Sequence, residues 1–162
     1  MLIGIDIGGT STKIGLVDNG RVIATTRIPT TGHVDEFAFA DALAEAAGQL
    51  STESGQRAEG IGIGAPNANQ QTGIIEMAPN LPWKNDVPLA KMLEERTGIR
   101  SVLGNDANAA ALGEWRYGAG QGYKDLLLVT LGTGVGSGFI VNGELLLGSY
   151  GNAGELGHMT IV

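Results

Sequence analysis

The sequence predicts an α/β protein with two related halves, on three observations. Strand-like apolar runs alternate with helix-patterned segments along the chain. A strand–turn–strand unit at the start recurs near the end. Glycine occurs 27 times in 162 residues, roughly twice its ~7% average usage. It clusters in turns between apolar runs, so tight backbone geometry rather than a flexible linker explains it.

Residues 2–8 (LIGIDIG) are a short, nearly continuous apolar run, the pattern of a buried strand. In "KIGLVDNGRVIATTRI" the dipeptide Asn19-Gly20 separates two strand-like runs and supplies the positive φ angles of a type I′ hairpin turn. Residues 34–50 repeat apolar positions at a helical period, which puts Phe37, Ala40, Leu43, Ala44 and Ala47 on one face. "GIGIGAP" reads as a strand ending in a turn, and residues 67–88 read as irregular. A helix is expected over 88–97, with Pro88 at its first position and Gly98 as its stop. "SVLGNDANAAALGEWRYG" reads as strand, turn, helix, and "DLLLVTLGTGVGSGFIVNGELLLG" as three strands.

That last segment matches the first. Ile5-Asp6-Ile7-Gly8 aligns with Val129-Thr130-Leu131-Gly132, and Gly15 to Gly20 aligns with Gly138 to Gly143, with a one-residue difference in the spacing between the blocks. Each half then offers a glycine turn, the two facing one cleft. A chance likeness between two hairpins is the alternative.

A length of 162 residues allows one domain, or one domain and part of another, and 43% hydrophobic residues can bury a real core. A net charge of −7 argues against broad binding to nucleic acid or membrane surfaces. Without cysteine the chain can form neither a disulfide nor a thiolate metal site. No stretch reaches the ~18 apolar residues of a membrane span, and no basic flank and cleavage site marks the N-terminus, so the chain reads as cytoplasmic.

Neither the P-loop pattern nor a dinucleotide-binding G-x-G-x-x-G before a helix is present. Gly8, Gly9, Thr10, Ser11, Thr12 and Lys13 offer consecutive small residues whose amides can form an anion nest, with two threonine hydroxyls and one cation added. Asp6, just before them, is placed to hold Mg²⁺ through water. A tight turn with Asp6 capping local amides accounts for the same residues. Asn105 and Asp106 sit between a strand and an Ala-rich helix, where a helix N-cap and a general base for phosphoryl transfer are the competing readings. Glu155 and His158 are three residues apart; one such pair is too little for a di-metal site, so a polar ligand-binding pair or a solvated loop end fits better.

Taken in order, these segments resemble the ROK family of sugar kinases and sugar-responsive repressors. "DIGGTSTK" resembles its first phosphate loop, "GIGAPN" and "APNLPWK" its sugar-side loops, and "NDANAAALGEW" its catalytic segment. "LGTGVGSGFIVNGELLLGSYGNAGELGHM" resembles its second phosphate loop and sugar-clamping helix. The resemblance implies the actin-like ATPase, ribonuclease H-like fold of the hexokinase and Hsp70 group. Residues 1–118 would form the small domain with the first phosphate loop and catalytic Asp, and 119–162 the truncated start of a larger one.

The resemblance further implies phosphorylation of a hexose at its 6-hydroxyl, glucokinase-like, with Asp106 as the base. Gly8, Gly9, Thr10, Thr12, Lys13, Gly132, Thr133 and Gly134 would face the ATP phosphates, with Asp6 near Mg²⁺. Asn80, Asn105, Asp106, Glu155 and His158 would meet the sugar. An N-acetylhexosamine kinase, a fructokinase, or a non-catalytic sugar-binding fragment or regulator are the alternatives. Two departures stand out. The family's chain is roughly twice this long, and its structural zinc needs three cysteines beyond the position of His158; Zn²⁺ and a homodimer are therefore expected only of the full-length form. Asn67 also stands where many members carry Gly, and Asn tolerates positive φ better than most residues.

Overall fold

Burial along the first strand alternates with a period of two. In β1 (Leu2–Ile7), Ile3, Ile5 and Ile7 are buried while Leu2, Gly4 and Asp6 face outward, as a strand with one covered face requires. The computed structural model describes residues 1–132 and 134–160. It divides into two compact units, Met1–Asn105 and Asp106–Val162.

In the first unit β1 pairs antiparallel with β2 (Ser11–Asp18), which pairs in turn with β3 (Arg21–Pro29). Asn19 and Gly20 have φ of 47° and 78°, the two positive values a type I′ turn needs. Helix α1 (Glu36–Ser54) begins at Asp35, whose carboxylate accepts from the Ala38 amide at 2.8 Å, and stops at left-handed Gly55. Two strands run parallel to β1, namely β4 (Gly60–Ala65) and β7 (Ser101–Asn105), giving the order β3-β2-β1-β4-β7. Between them lie a two-residue pair, β5 (Ala68–Asn69) with β6 (Ile74–Ile75), and helix α2 (Leu89–Thr97). Pro88 stands one position before α2 rather than at its first residue and makes no side-chain capping bond, and left-handed Gly98 ends the helix. The 67–88 region is thus irregular apart from β5–β6 and a bridge from Ile75 to Val87.

The core face of α1 differs from the expected one. Phe39, Ala40, Leu43, Ala46, Ala47 and Leu50 are buried, Ala44 is at the border, and Phe37 is 56% exposed. An Ala-rich helix carries two overlapping apolar stripes. The aromatic contacts choose between them, since the Phe39 ring lies 4.6 Å from that of Trp83 and 5.3 Å from that of His33.

The second unit consists of α3 (Asp106–Tyr117) and an antiparallel meander of β8 (Leu126–Leu131), β9 (Val135–Val141) and β10 (Glu144–Leu145), followed by a 3₁₀ turn, Leu156–His158. The third strand is only two residues long. Helix α3 packs on β8 and β9, so the compact units divide at 105/106, ahead of the 118/119 boundary drawn from sequence. The sequence repeat has a backbone counterpart. Gly4 faces Gly15 and Ile5 faces Ile14 across β1–β2, while Leu128 faces Gly138 and Val129 faces Ser137 across β8–β9. These pairs match under the sequence alignment, and the one-residue difference falls in the loop between the strands. Asn142 and Gly143, with φ of 53° and 80°, repeat the I′ turn. No helix among the described residues is long and apolar enough to cross a membrane.

Phe39→Ala should cost about 3–5 kcal/mol in urea unfolding, whereas Phe37→Ala should stay within about 0.5 kcal/mol. Equal losses would mean that the stripe carrying Phe37 is the core face.

Candidate active site

The parallel strands β1, β4 and β7 end at one edge of their sheet, the edge where open α/β sheets bind ligands. From it emerge the 8–10 loop, the Pro66-Asn67 turn and Asn105. Asn67 takes the positive φ expected of it, 51°. Asn105 is two strands from β1, about 10 Å at the usual spacing.

Hydrogen bonds fix the 8–10 loop from below. The Gly8 amide donates to Ser11 O at 3.2 Å, and the Thr30 amide donates to Thr10 O at 3.0 Å. Thr30 Oγ1 donates to Gly8 O at 2.7 Å and lies 2.8 Å from Thr12 Oγ1. A hydroxyl has one proton to give, so Thr12 is the donor in the second contact. Both threonines are fully buried. The expectation that Thr12 presents its hydroxyl to a phosphate is therefore corrected: that hydroxyl is used within the core, and Thr12 braces the loop. Gly9 and Thr10 remain exposed.

Asp6 and Lys13 are cross-strand partners, with Nζ 3.6 Å from Oδ2 and each side chain more than 60% exposed. Such an exposed pair is worth only ~0–1 kcal/mol, so either group can turn to another partner at little cost. Gly9 is needed for a close approach, because a Cβ there would lie 2.9 Å from the carbonyl oxygen of Asn80. The structure thus brings the 8–10 loop against the segment carrying Asn80, whose residue is exposed.

In the second unit Asp106 is the first residue of α3, with no turn between it and β7. It is exposed, and its Oδ1 accepts from the Ala107 amide at 2.8 Å. The carboxylate therefore does cap the helix start, where negative charge is favoured. Ala107 and Ala111 seat α3 directly on β9: a Cβ on Gly138 would stand 2.7 Å from Ala111 Cβ and 2.9 Å from Ala107 O. Two glycines of "GTGVGSG", 136 and 138, thus serve packing. Gly132 and Gly134 are exposed and joined by a 2.9 Å turn hydrogen bond; Thr133 lies outside the described residues.

Glu155 and His158 approach to 3.9 Å on the 3₁₀ turn, 50% and 84% exposed. Ser137, buried in β9, donates to Gly154 O and accepts from the Leu156 amide at 3.4 Å, which ties the Glu155 segment to the strand. Among the described residues no three His, Cys, Asp or Glu side chains come together as a metal site.

Thr30 and Ser137 were missed in the sequence. Nothing in the spacing around Thr30 marks it. Ser137 had a signal: it aligns with Ile14 in the repeat, a buried position, where a hydroxyl must find a partner.

The ROK family model matches residues 2–162. The chain belongs to the ROK family. This ROK chain is 43% identical to the glucokinase of Halalkalibacterium halodurans, over 99% of its own length and 50% of that protein's. It is 40% identical to a solved ROK glucokinase from Streptomyces griseus in complex with glucose and AMPPNP, with a TM-score of 0.87 over 99% of this chain and 51% of that one. A ROK hexokinase from Thermus thermophilus gives 42% and 0.88, covering 99% and 53%. The chain spans about half the length of the curated relatives it matches. Its α/β fold is the actin-like ATPase fold of these neighbours.

Gly138→Ala should lower stability by about 1–3 kcal/mol, since α3 must move off β9 to admit the methyl group. Urea unfolding checks it, and an unchanged midpoint would contradict the close contact.

Proposed function

We propose that this ROK chain belongs to an ATP-dependent kinase that phosphorylates a hexose at its 6-hydroxyl, glucokinase-like. The observation that carries the reading is the similarity to glucokinases along the whole chain. The loops at the carboxyl ends of β1, β4 and β7 support it, because phosphoryl transfer depends on positioning and charge stabilisation more than on covalent chemistry.

In this reading Asp106 accepts the proton of the sugar hydroxyl as that oxygen attacks the γ-phosphate. Its capping bond to the Ala107 amide holds the carboxylate in one orientation during the transfer. Asn80, Asn105, Glu155 and His158 hydrogen-bond the sugar hydroxyls. The 8–10 loop (Gly8, Gly9 and Thr10), with the Gly8 amide held by Ser11 O and the Gly9 amide free to point outward, meets the phosphate oxygens together with Lys13, Gly132, Thr133 and Gly134.

An exposed carboxylate at a strand end fits Mg²⁺, which keeps several waters and takes one or two carboxylates besides phosphate. Asp6 would hold it through water, and the ion when bound would neutralise phosphate charge. The residues present do not fit zinc: there is no cysteine, and His158 alone cannot make a structural site. A cytoplasmic protein, homodimeric in its full-length form, that uses small-molecule substrates and no nucleic acid completes the proposal.

The test is a coupled assay with Mg-ATP and a hexose panel. Asp106→Asn should lower turnover ~10²–10⁴-fold, or roughly 3–5 kcal/mol of barrier, with sugar affinity largely kept. Unchanged turnover rules out Asp106 as the base. Failure of the full-length protein to phosphorylate any hexose overturns the kinase reading.

A further inference from the structure

We propose that Thr30, which lies outside every loop assigned above, is a positioning residue of the 8–10 loop: it turns two loop peptides so that their amides face an incoming phosphate. The inference rests on the kinase reading for its ligand and on geometry for its mechanism. Thr30 is fully buried and makes three bonds to the loop and its base. Its Oγ1 donates to Gly8 O at 2.7 Å, its amide donates to Thr10 O at 3.0 Å, and its Oγ1 accepts from Thr12 Oγ1 at 2.8 Å.

A trans peptide is planar, with its C=O and N–H pointing in opposite directions, and no peptide among the described residues is cis. Drawing the carbonyl of Gly8 toward Thr30 therefore directs the Gly9 amide away from it. Drawing the carbonyl of Thr10 the same way directs the Ser11 amide away. Two amides two residues apart then share one side of the loop, the arrangement of an anion-binding nest. Gly9 is exposed and Ser11 half-buried.

The hydroxyl bonds are not equivalent. Removing the Thr30 hydroxyl frees the Gly8 carbonyl to rotate and leaves the buried Thr12 donor without its acceptor. Removing the Thr12 hydroxyl leaves the bond from Thr30 to Gly8 intact. Serine at position 30 keeps all three bonds.

Calorimetric titration of the full-length protein with Mg-AMPPNP, and separately with glucose, tests this on Thr30→Val, Thr30→Ser and Thr12→Val. Thr30→Val is expected to weaken Mg-AMPPNP about tenfold or more while glucose affinity stays within about twofold. Thr30→Ser should remain within about threefold of the wild type, and Thr12→Val should lose less than Thr30→Val. Unchanged nucleotide affinity in Thr30→Val overturns the proposal, as does a parallel loss for both ligands, which a merely structural role would give. If Thr30→Val does not fold, Thr30→Ser decides: loss of nucleotide affinity there overturns the proposal, and retention with a modest loss in Thr12→Val supports it. A full-length wild type that binds glucose but no Mg-AMPPNP overturns the nucleotide reading itself, and this proposal with it.

Discussion

The central strand β1 is paired on both sides, antiparallel to β2 and parallel to β4, so its register is set twice. Its inner face carries Ile3, Ile5 and Ile7, all nearly inaccessible. A slip of one residue would turn all three to solvent and bring Asp6 inside, which is why the strand has one workable position. That position puts Asp6 outward beside Lys13 and releases the chain at Gly8, at the edge shared with β4 and β7. Where the loop begins and which way its flanking charges point both follow from the burial of three isoleucines.

Missing side chains matter as much as present ones at two places. At Gly9 a methyl group would press on the Asn80 carbonyl, and at Gly138 one would press on the backbone and Ala111 of α3. In both cases backbone meets backbone or a methyl group, so the position of a candidate site residue is fixed without a long side chain between. Asp106 is the first residue of the helix that Gly138 admits, and Asn80 lies on the segment that Gly9 admits. The run "GTGVGSG" therefore does two jobs. Gly132 and Gly134 form an open turn, while positions 136 and 138 are packing surface.

What could be read from the sequence was what local chemistry decides. The two Asn-Gly turns require positive φ at consecutive residues, and both have it. Gly98 ends α2 because a left-handed residue costs glycine little. The repeat predicted two equivalent strand–turn–strand units, and their registers agree. What could not be read depends on partners far along the chain. The face of α1 is chosen by Trp83, whose ring packs on Phe39. Thr12 looks like a phosphate donor until Thr30 claims its hydroxyl from 18 residues away. Ser137 reaches Gly154 across 17 residues. Motif spacing records none of these contacts.

A chain with a net charge of −7 poses a problem for a polyanionic substrate. Lys13 is the one cation in the glycine–threonine stretch, and it already faces Asp6 at 3.6 Å. The two charges largely cancel at a distance, so in the kinase reading backbone dipoles add to the attraction that Lys13 and the ion held by Asp6 would supply. Backbone amides add no net charge and need no reorganisation once oriented, but they act only if they point the right way. An amide turned inward is lost to the ligand, and the carbonyl turned outward in its place repels it. The more the charged groups offset one another, the more binding depends on peptide orientation. Buried hydroxyls such as that of Thr30 can therefore govern an anion site they never touch.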